Sequence, residues 1–176
     1  MKTNIALIGF MGTGKTMIGQ LLAKKLGRRF IELDSLIEQR AKKSIADIFQ
    51  QDGEIAFREL EIEFTKKISG EEYSVIACGG GIVLNKINID RLREGGRIVL
   101  LTASPGVILM RTSRKKGQRP LLEVNNPAAA IDELLEFRKP FYERAADITI
   151  DTSKLDIDAV VERIIEKLKE DESFDL

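Results

Sequence analysis

Short apolar runs alternate with amphipathic stretches along the whole chain. The runs at Asn4–Ile8, Arg29–Leu33, Ser74–Ala77, Arg97–Thr102 and Asp147–Ile150 read as strands. Between them apolar positions recur every three to four residues, which predicts helices at about 15–26, 35–51, 54–69, 85–94, 104–113, 128–145 and 156–170. Strands separated by helices imply βαβ units, right-handed crossovers and a mostly parallel sheet between helical layers, the α/β class. Such sheets bind ligands beyond the carboxyl ends of their strands. No repeat or linker divides the chain, so residues 1–170 are expected to form one domain, with an acidic tail at 171–176 that is expected to fray. The stretch Arg114–Asn126 has no periodicity and carries Gly117, Pro120 and two asparagines. Loops of about a dozen residues inside a compact domain are often functional lids, and a mobile lid is expected at about 112–124.

Composition narrows the chemistry. The chain has 176 residues, 28 Lys+Arg against 28 Asp+Glu, and no histidine. Without histidine there is no triad with a His base, no ordinary catalytic zinc site and no histidine pH switch. A single cysteine, Cys78, excludes disulfide frameworks, Cys-rich zinc sites and iron–sulfur clusters. Acid–base work must therefore fall to carboxylates, lysine or tyrosine. Zero net charge argues against general nucleic-acid binding. No apolar stretch approaches the roughly 20 residues that cross a bilayer, and no targeting signal follows Met1, so a cytoplasmic, reducing location is expected and no membrane partner.

The first predicted strand runs into Gly9-Phe10-Met11-Gly12-Thr13-Gly14-Lys15-Thr16, which satisfies G-x-x-x-x-G-K-[ST] between a strand and an amphipathic helix. Glycines let successive backbone N–H groups converge on phosphate oxygens, and the helix that follows adds its positive end. Lys15 supplies a point charge to the β/γ-phosphates and the Thr16 hydroxyl can ligate Mg²⁺. Gly12, Thr13, Gly14, Lys15, Thr16 and Met17 are the candidate nucleotide-binding residues. No aspartate has a glycine three positions later, and no N-K-x-D guanine motif is present, so ATP is expected rather than GTP.

The second strand ends Phe30-Ile31-Glu32-Leu33-Asp34. Strand alternation would put Glu32 and Asp34 on one face, one to hold Mg²⁺ through water and the other to orient or deprotonate a substrate hydroxyl. Asp34 could instead cap the next helix. Arg58 lies beside a core stripe (Phe57, Leu60, Phe64, Ile68), with Glu54 and Glu61 at ion-pairing distance along the helix. It reads equally as an exposed ion pair or as a binding group. Arg138 has Leu134, Leu135, Phe141 and Tyr142 at helical contact positions and so calls for an anion from elsewhere. Gly79, Gly80 and Gly81 permit close backbone approach to a ligand. The basic run Arg111, Arg114, Lys115, Lys116, Arg119 coincides with the expected lid, where it could bring charge to a transferring phosphoryl group.

Together GFMGTGKT at 9–16, Asp34, FRELE at 57–61, CGGG at 78–81, RPLL at 119–122 and Arg138 with Tyr142 resemble the shikimate kinases, small P-loop kinases of the nucleoside-monophosphate-kinase type. The resemblance runs from Ile5 to about Leu168. It implies a three-layer P-loop NTPase fold with a five-stranded parallel sheet in the order 2-3-1-4-5, substrate-binding helices at about 34–69, and a monomer. It implies Mg²⁺-dependent transfer from ATP to the 3-hydroxyl of a small carboxylated polyol, shikimate. Lys15, Asp34 and Arg119 would be catalytic; Arg111 and Arg119 would join the ATP site, with the loop at 152–157 flanking adenine. Asp34, Arg58, Gly79, Gly80, Gly81 and Arg138 would hold the acceptor. Thr16, and Glu32 through water, would serve the metal. Glu32 stands where the family usually has aspartate, and Cys78 where it commonly has threonine. A gluconate-type small-molecule kinase and a non-catalytic ATP-binding regulatory module are the alternatives.

Overall fold

A computed structural model describes residues 1–114, 120–122 and 124–176. Strands β1 (Asn4–Ile8), β2 (Arg29–Glu32), β3 (Ser74–Ala77), β4 (Gly96–Thr102) and β5 (Ile148–Asp151) form one sheet in the order β2-β3-β1-β4-β5. Every pairing is parallel, as expected for strands linked by helical crossovers. The helices are α1 (Lys15–Leu26), α2 (Leu33–Ala41), α3 (Ile45–Gln51), α4 (Gly53–Ile68), α5 (Lys86–Gly95), α6 (Pro105–Ser113), α7 (Pro127–Ala145) and α8 (Ile157–Lys169). None of the helices among the described residues is long and apolar enough to cross a membrane.

Strand alternation builds two cores. Ile5, Leu7, Val99 and Leu101 face α1 and α8, with Leu22, Val161, Ile164 and Leu168 packed on them. Ala6, Ile8, Ile98 and Leu100 face the other way, where Ile37, Phe57, Phe64, Ile89, Ile108 and Ile131 close the opposite layer. Both faces of the sheet are thus covered by helices, which is why its strands read as nearly continuous apolar runs.

Three expectations are corrected. The second strand stops at Glu32, where its last pairing is with Ala77. Because β3 ends there, Leu33 has no ladder partner, and the chain turns into α2 with Asp34 in its first turn. The helix expected over 35–51 is two helices. Lys42 adopts a left-handed conformation, and the Ser44 side chain accepts from the Asp47 N–H to start α3. The tail is fastened rather than frayed. Arg97 pairs with Asp171, Tyr73 donates to Asp175 at 2.8 Å, and the Phe174 ring is buried under the Arg28 guanidinium. Of the stretch expected to act as a lid, Thr112 and Ser113 finish α6 and residues 120–122 form a short 3₁₀ turn.

Candidate active site

The β1–α1 junction is shaped by its glycines. Gly9, Gly12 and Gly14 have φ of +144°, +79° and +92°, values that side chains beyond glycine rarely adopt, so the motif's glycines are conformationally required. A Cβ on Gly12 would also meet the Thr112 methyl at 3.0 Å. The Thr13 hydroxyl donates to the Phe10 carbonyl at 2.8 Å, and the Lys15 ammonium donates to the carbonyls of Gly9 at 2.8 Å and Phe10 at 3.0 Å. Thr16 donates to Glu32, whose other carboxylate oxygen accepts from Ser35 at 2.8 Å. Met17 follows in α1 with its side chain exposed. Arg111, on the last turn of α6, donates to the Gly12 carbonyl at 3.1 Å and to both the hydroxyl and the carbonyl of Thr152 at 3.2 Å.

Beside this loop lies a cavity of about 100 Å³ into which Asp34, Arg58, Glu61, Gly79, Gly80, Gly81 and Arg138 converge, with Met11, Phe49 and Phe57 supplying apolar wall. All six residues expected to bind the acceptor are therefore brought together from four separate segments of the chain. Asp34 does not cap α2, since Glu32 occupies that position and no side chain caps the helix. Its Oδ1 is buried with no hydrogen-bond partner. Burial raises the Asp34 carboxyl above the usual carboxylate range, opposed by Lys15 and reinforced by Glu32.

The two readings of Arg58 turn out to be joined. It donates to Glu54 at 3.1 Å and to both oxygens of Glu61 at 3.0 and 3.2 Å, yet it also faces the cavity. Glu61 is fully buried, and desolvation lifts its carboxyl to about 7 against the pull of Arg58. Arg138 is 3% exposed, lies 5.7 Å from the Phe10 ring centre, and has no ion pair among the described residues. Its Nε lacks a hydrogen-bond partner. An arginine buried in this way costs free energy unless an anion joins it.

The triple glycine is needed for closeness rather than for unusual backbone angles. A Cβ on Gly79 would stand 2.8 Å from Asp34 Oδ1, and one on Gly81 would overlap the Arg58 guanidinium. Tyr142 donates its hydroxyl to the Gly80 carbonyl, tying α7 to this turn. Cys78, just before it, is buried and its thiol is pushed up by desolvation, so it acts as a small apolar residue. Arg119 lies outside the described residues.

Sequence reasoning named Glu61 only as an exposed ion-pair partner of Arg58 and Thr152 only within the loop beside the base, and it gave Phe49 and Met11 no place in the cavity wall. For Glu61 a signal existed, because it falls four residues after Phe57 on the buried face of α4. For the place of Met11 in the cavity wall, and for the contacts of Thr152 with Arg111 and the Thr13 carbonyl, none did, since these depend on loops meeting across the sheet.

The shikimate kinase family model matches residues 11–169 of the chain. A shikimate kinase from Caldanaerobacter subterraneus subsp. tengcongensis is 51% identical over 162 residues, covering 92% of this chain and 94% of that protein. One from Thermodesulfovibrio yellowstonii is 48% identical over 164 residues, covering 93% and 94%. The solved shikimate kinase from Acinetobacter baumannii in complex with shikimate superposes with a TM-score of 0.93 at 34% identity, covering 98% of this chain and 96% of that one. Full-length similarity in sequence and in fold, joined to the phosphate loop and the arginine-lined cavity, leads to one assignment: the chain belongs to the shikimate kinase family.

Proposed function

We propose that the chain transfers the γ-phosphoryl group of ATP to the 3-hydroxyl of shikimate, giving shikimate 3-phosphate and ADP, a step toward chorismate and the aromatic amino acids. One observation carries the assignment of roles. Asp34 Oδ1 and Arg138 Nε are both buried without hydrogen-bond partners, and their side chains line one cavity next to the phosphate loop. Neutral ring hydroxyls and a carboxylate are what such a pair suits.

Arg138 and Arg58 clamp the acceptor carboxylate, with Glu61 steadying Arg58. Asp34 accepts the proton of the attacking hydroxyl, a task its raised proton affinity favours. The hydroxyl oxygen bonds to the γ-phosphorus as the bond to the β-γ bridging oxygen breaks, and the bonding pair leaves with ADP. No phosphoenzyme is required. Lys15 exchanges the carbonyls of Gly9 and Phe10 for phosphate oxygens. Arg119 and the segment 112–124 are assigned by sequence alone to cover the transferring group.

The hydroxyl of Thr16 and the carboxylate of Glu32, in direct contact, form a hard-oxygen donor pair suited to Mg²⁺. Among the described residues no cluster of three or more Asp, Glu, Cys or His could hold a metal by itself, so water and phosphate oxygens would complete the shell. When bound there, Mg²⁺ supplies neutralisation of the charge on the β- and γ-phosphates. A monomeric, cytoplasmic enzyme goes with this reading, and the single buried thiol suits the cytoplasmic setting.

The test is ADP release measured with shikimate, with gluconate and with no acceptor. Release is expected with shikimate only. Equal rates in the three mixtures would remove the acceptor site, and turnover with gluconate alone would overturn the substrate.

A further inference from the structure

A phosphate loop works by the direction of its N–H groups. In a trans peptide the carbonyl and the following N–H point opposite ways. Whatever holds the carbonyls of Gly12 and Thr13 from behind therefore sets where the N–H groups of Thr13 and Gly14 can point. Thr152, the first residue after β5, is 2% exposed and stands behind the loop. Its hydroxyl donates to the Thr102 carbonyl at 2.9 Å and reaches the Thr13 carbonyl at 3.4 Å. The same hydroxyl accepts from Arg111 at 3.2 Å, while that guanidinium nitrogen also donates to the Gly12 carbonyl at 3.1 Å. The Thr152 N–H donates to the Thr102 carbonyl at 2.8 Å, so the ladder between β4 and β5 fixes the position of the hydroxyl.

We propose that Thr152 is a positioning residue for phosphoryl transfer. Its buried hydroxyl and Arg111 form a brace that orients the Gly12–Gly14 backbone toward the nucleotide phosphates. The brace also joins the loop after β5, expected to lie beside the base, to the loop that holds the phosphates. The inference rests on the reading that residues 9–16 bind the ATP phosphates.

The test uses Thr152→Val, which keeps the shape and removes the hydroxyl, and Thr152→Ser, which restores it. Tripolyphosphate, which has no base, probes the loop alone. Thr152→Val should weaken tripolyphosphate binding and lower kcat/KM for ATP by about tenfold, the usual consequence of removing a buried donor. The KM for shikimate should stay within about twofold, and the serine variant should recover most of the loss. Unchanged tripolyphosphate affinity in the valine variant would overturn the brace, as would a loss confined to adenosine binding or an equal rise in the shikimate KM. Arg111→Met carries the same test from the half-buried side of the brace, should the valine variant not fold. Tripolyphosphate affinity equal to the parent's would then refute it. A parent protein that binds no tripolyphosphate would instead sink the reading of residues 9–16.

Discussion

The two halves of the site hold their charges differently. On the nucleotide side the polar groups are satisfied within the protein: Lys15 by the Gly9 and Phe10 carbonyls, Thr16 by Glu32, and Arg111 by Gly12 and Thr152. On the acceptor side Asp34, Arg58 and Arg138 each keep a buried polar atom without a partner. The phosphate loop is folded on itself and must exchange internal hydrogen bonds for ligand ones. The cavity proposed for the acceptor is instead held open by its surroundings, at a desolvation cost that the substrate's own groups would relieve on that proposal. On the proposed reading, one half would rearrange its hydrogen bonds to bind, and the other would be preorganised to bind.

The hardest test of that contrast is Asp34→Asn. Turnover should fall by roughly 10²–10⁴-fold, the range for losing a general base, while ATP affinity persists. The unfolding midpoint should not drop, because an uncharged amide replaces a desolvated carboxyl. Near-normal kcat would remove Asp34 from the chemistry.

The same apolar substitution made on both sides should then separate them. Arg138→Met should raise the shikimate KM about tenfold or more through the lost charged hydrogen bonds. The free enzyme should hold or gain thermal stability, because a buried guanidinium with no ion pair among the described residues and an unsatisfied Nε is removed. Lys15→Met should also cut activity, yet destabilise the free enzyme by about 1–3 kcal/mol, since two carbonyls lose their donor. Stability changes of the same sign in the two variants would break the comparison.

A smaller effect is expected from Gly81→Ala, whose Cβ would displace the Arg58 guanidinium. The shikimate KM should rise several-fold with ATP binding unaltered. Equal changes toward both substrates would point to a general disturbance of the turn.

The smallest effect concerns Glu61. Its carboxyl rises from 4.5 to about 7 in the fold, so between those values the folded chain retains a proton that the unfolded chain has released. This contribution favours the fold at low pH and fades as pH climbs through that window. Denaturant midpoints at pH 5 and pH 7 should therefore fall less for Glu61→Gln than for the parent. Parallel falls would show that Glu61 titrates as an ordinary exposed acid.

The phosphate loop was legible because its requirement is local: three glycines with positive φ, a lysine and a hydroxyl at fixed spacing between strand and helix. Arg138 was legible as a charge on an apolar stripe. Asp34 was expected at a strand end but lies in the first turn of α2, where it lines the cavity, since the end of β2 depends on where β3 stops pairing. The fastened tail escaped notice because Phe174 finds its partners at Arg28 and Lys2, far away in sequence.

Periodicity, composition and spacing thus determined the α/β class, the absence of histidine chemistry and the kinds of group at the site. Those follow from properties each residue carries with it. Tertiary structure alone decided that Glu61 is buried and its pair with Arg58 faces a cavity, that the glycines at 79–81 lie against Asp34 and Arg58, and that Thr152 stands behind the phosphate loop. Burial, and with it the proton affinities of Asp34 and Glu61, comes from segments distant in sequence excluding water from one another, and no local pattern records which segments will meet.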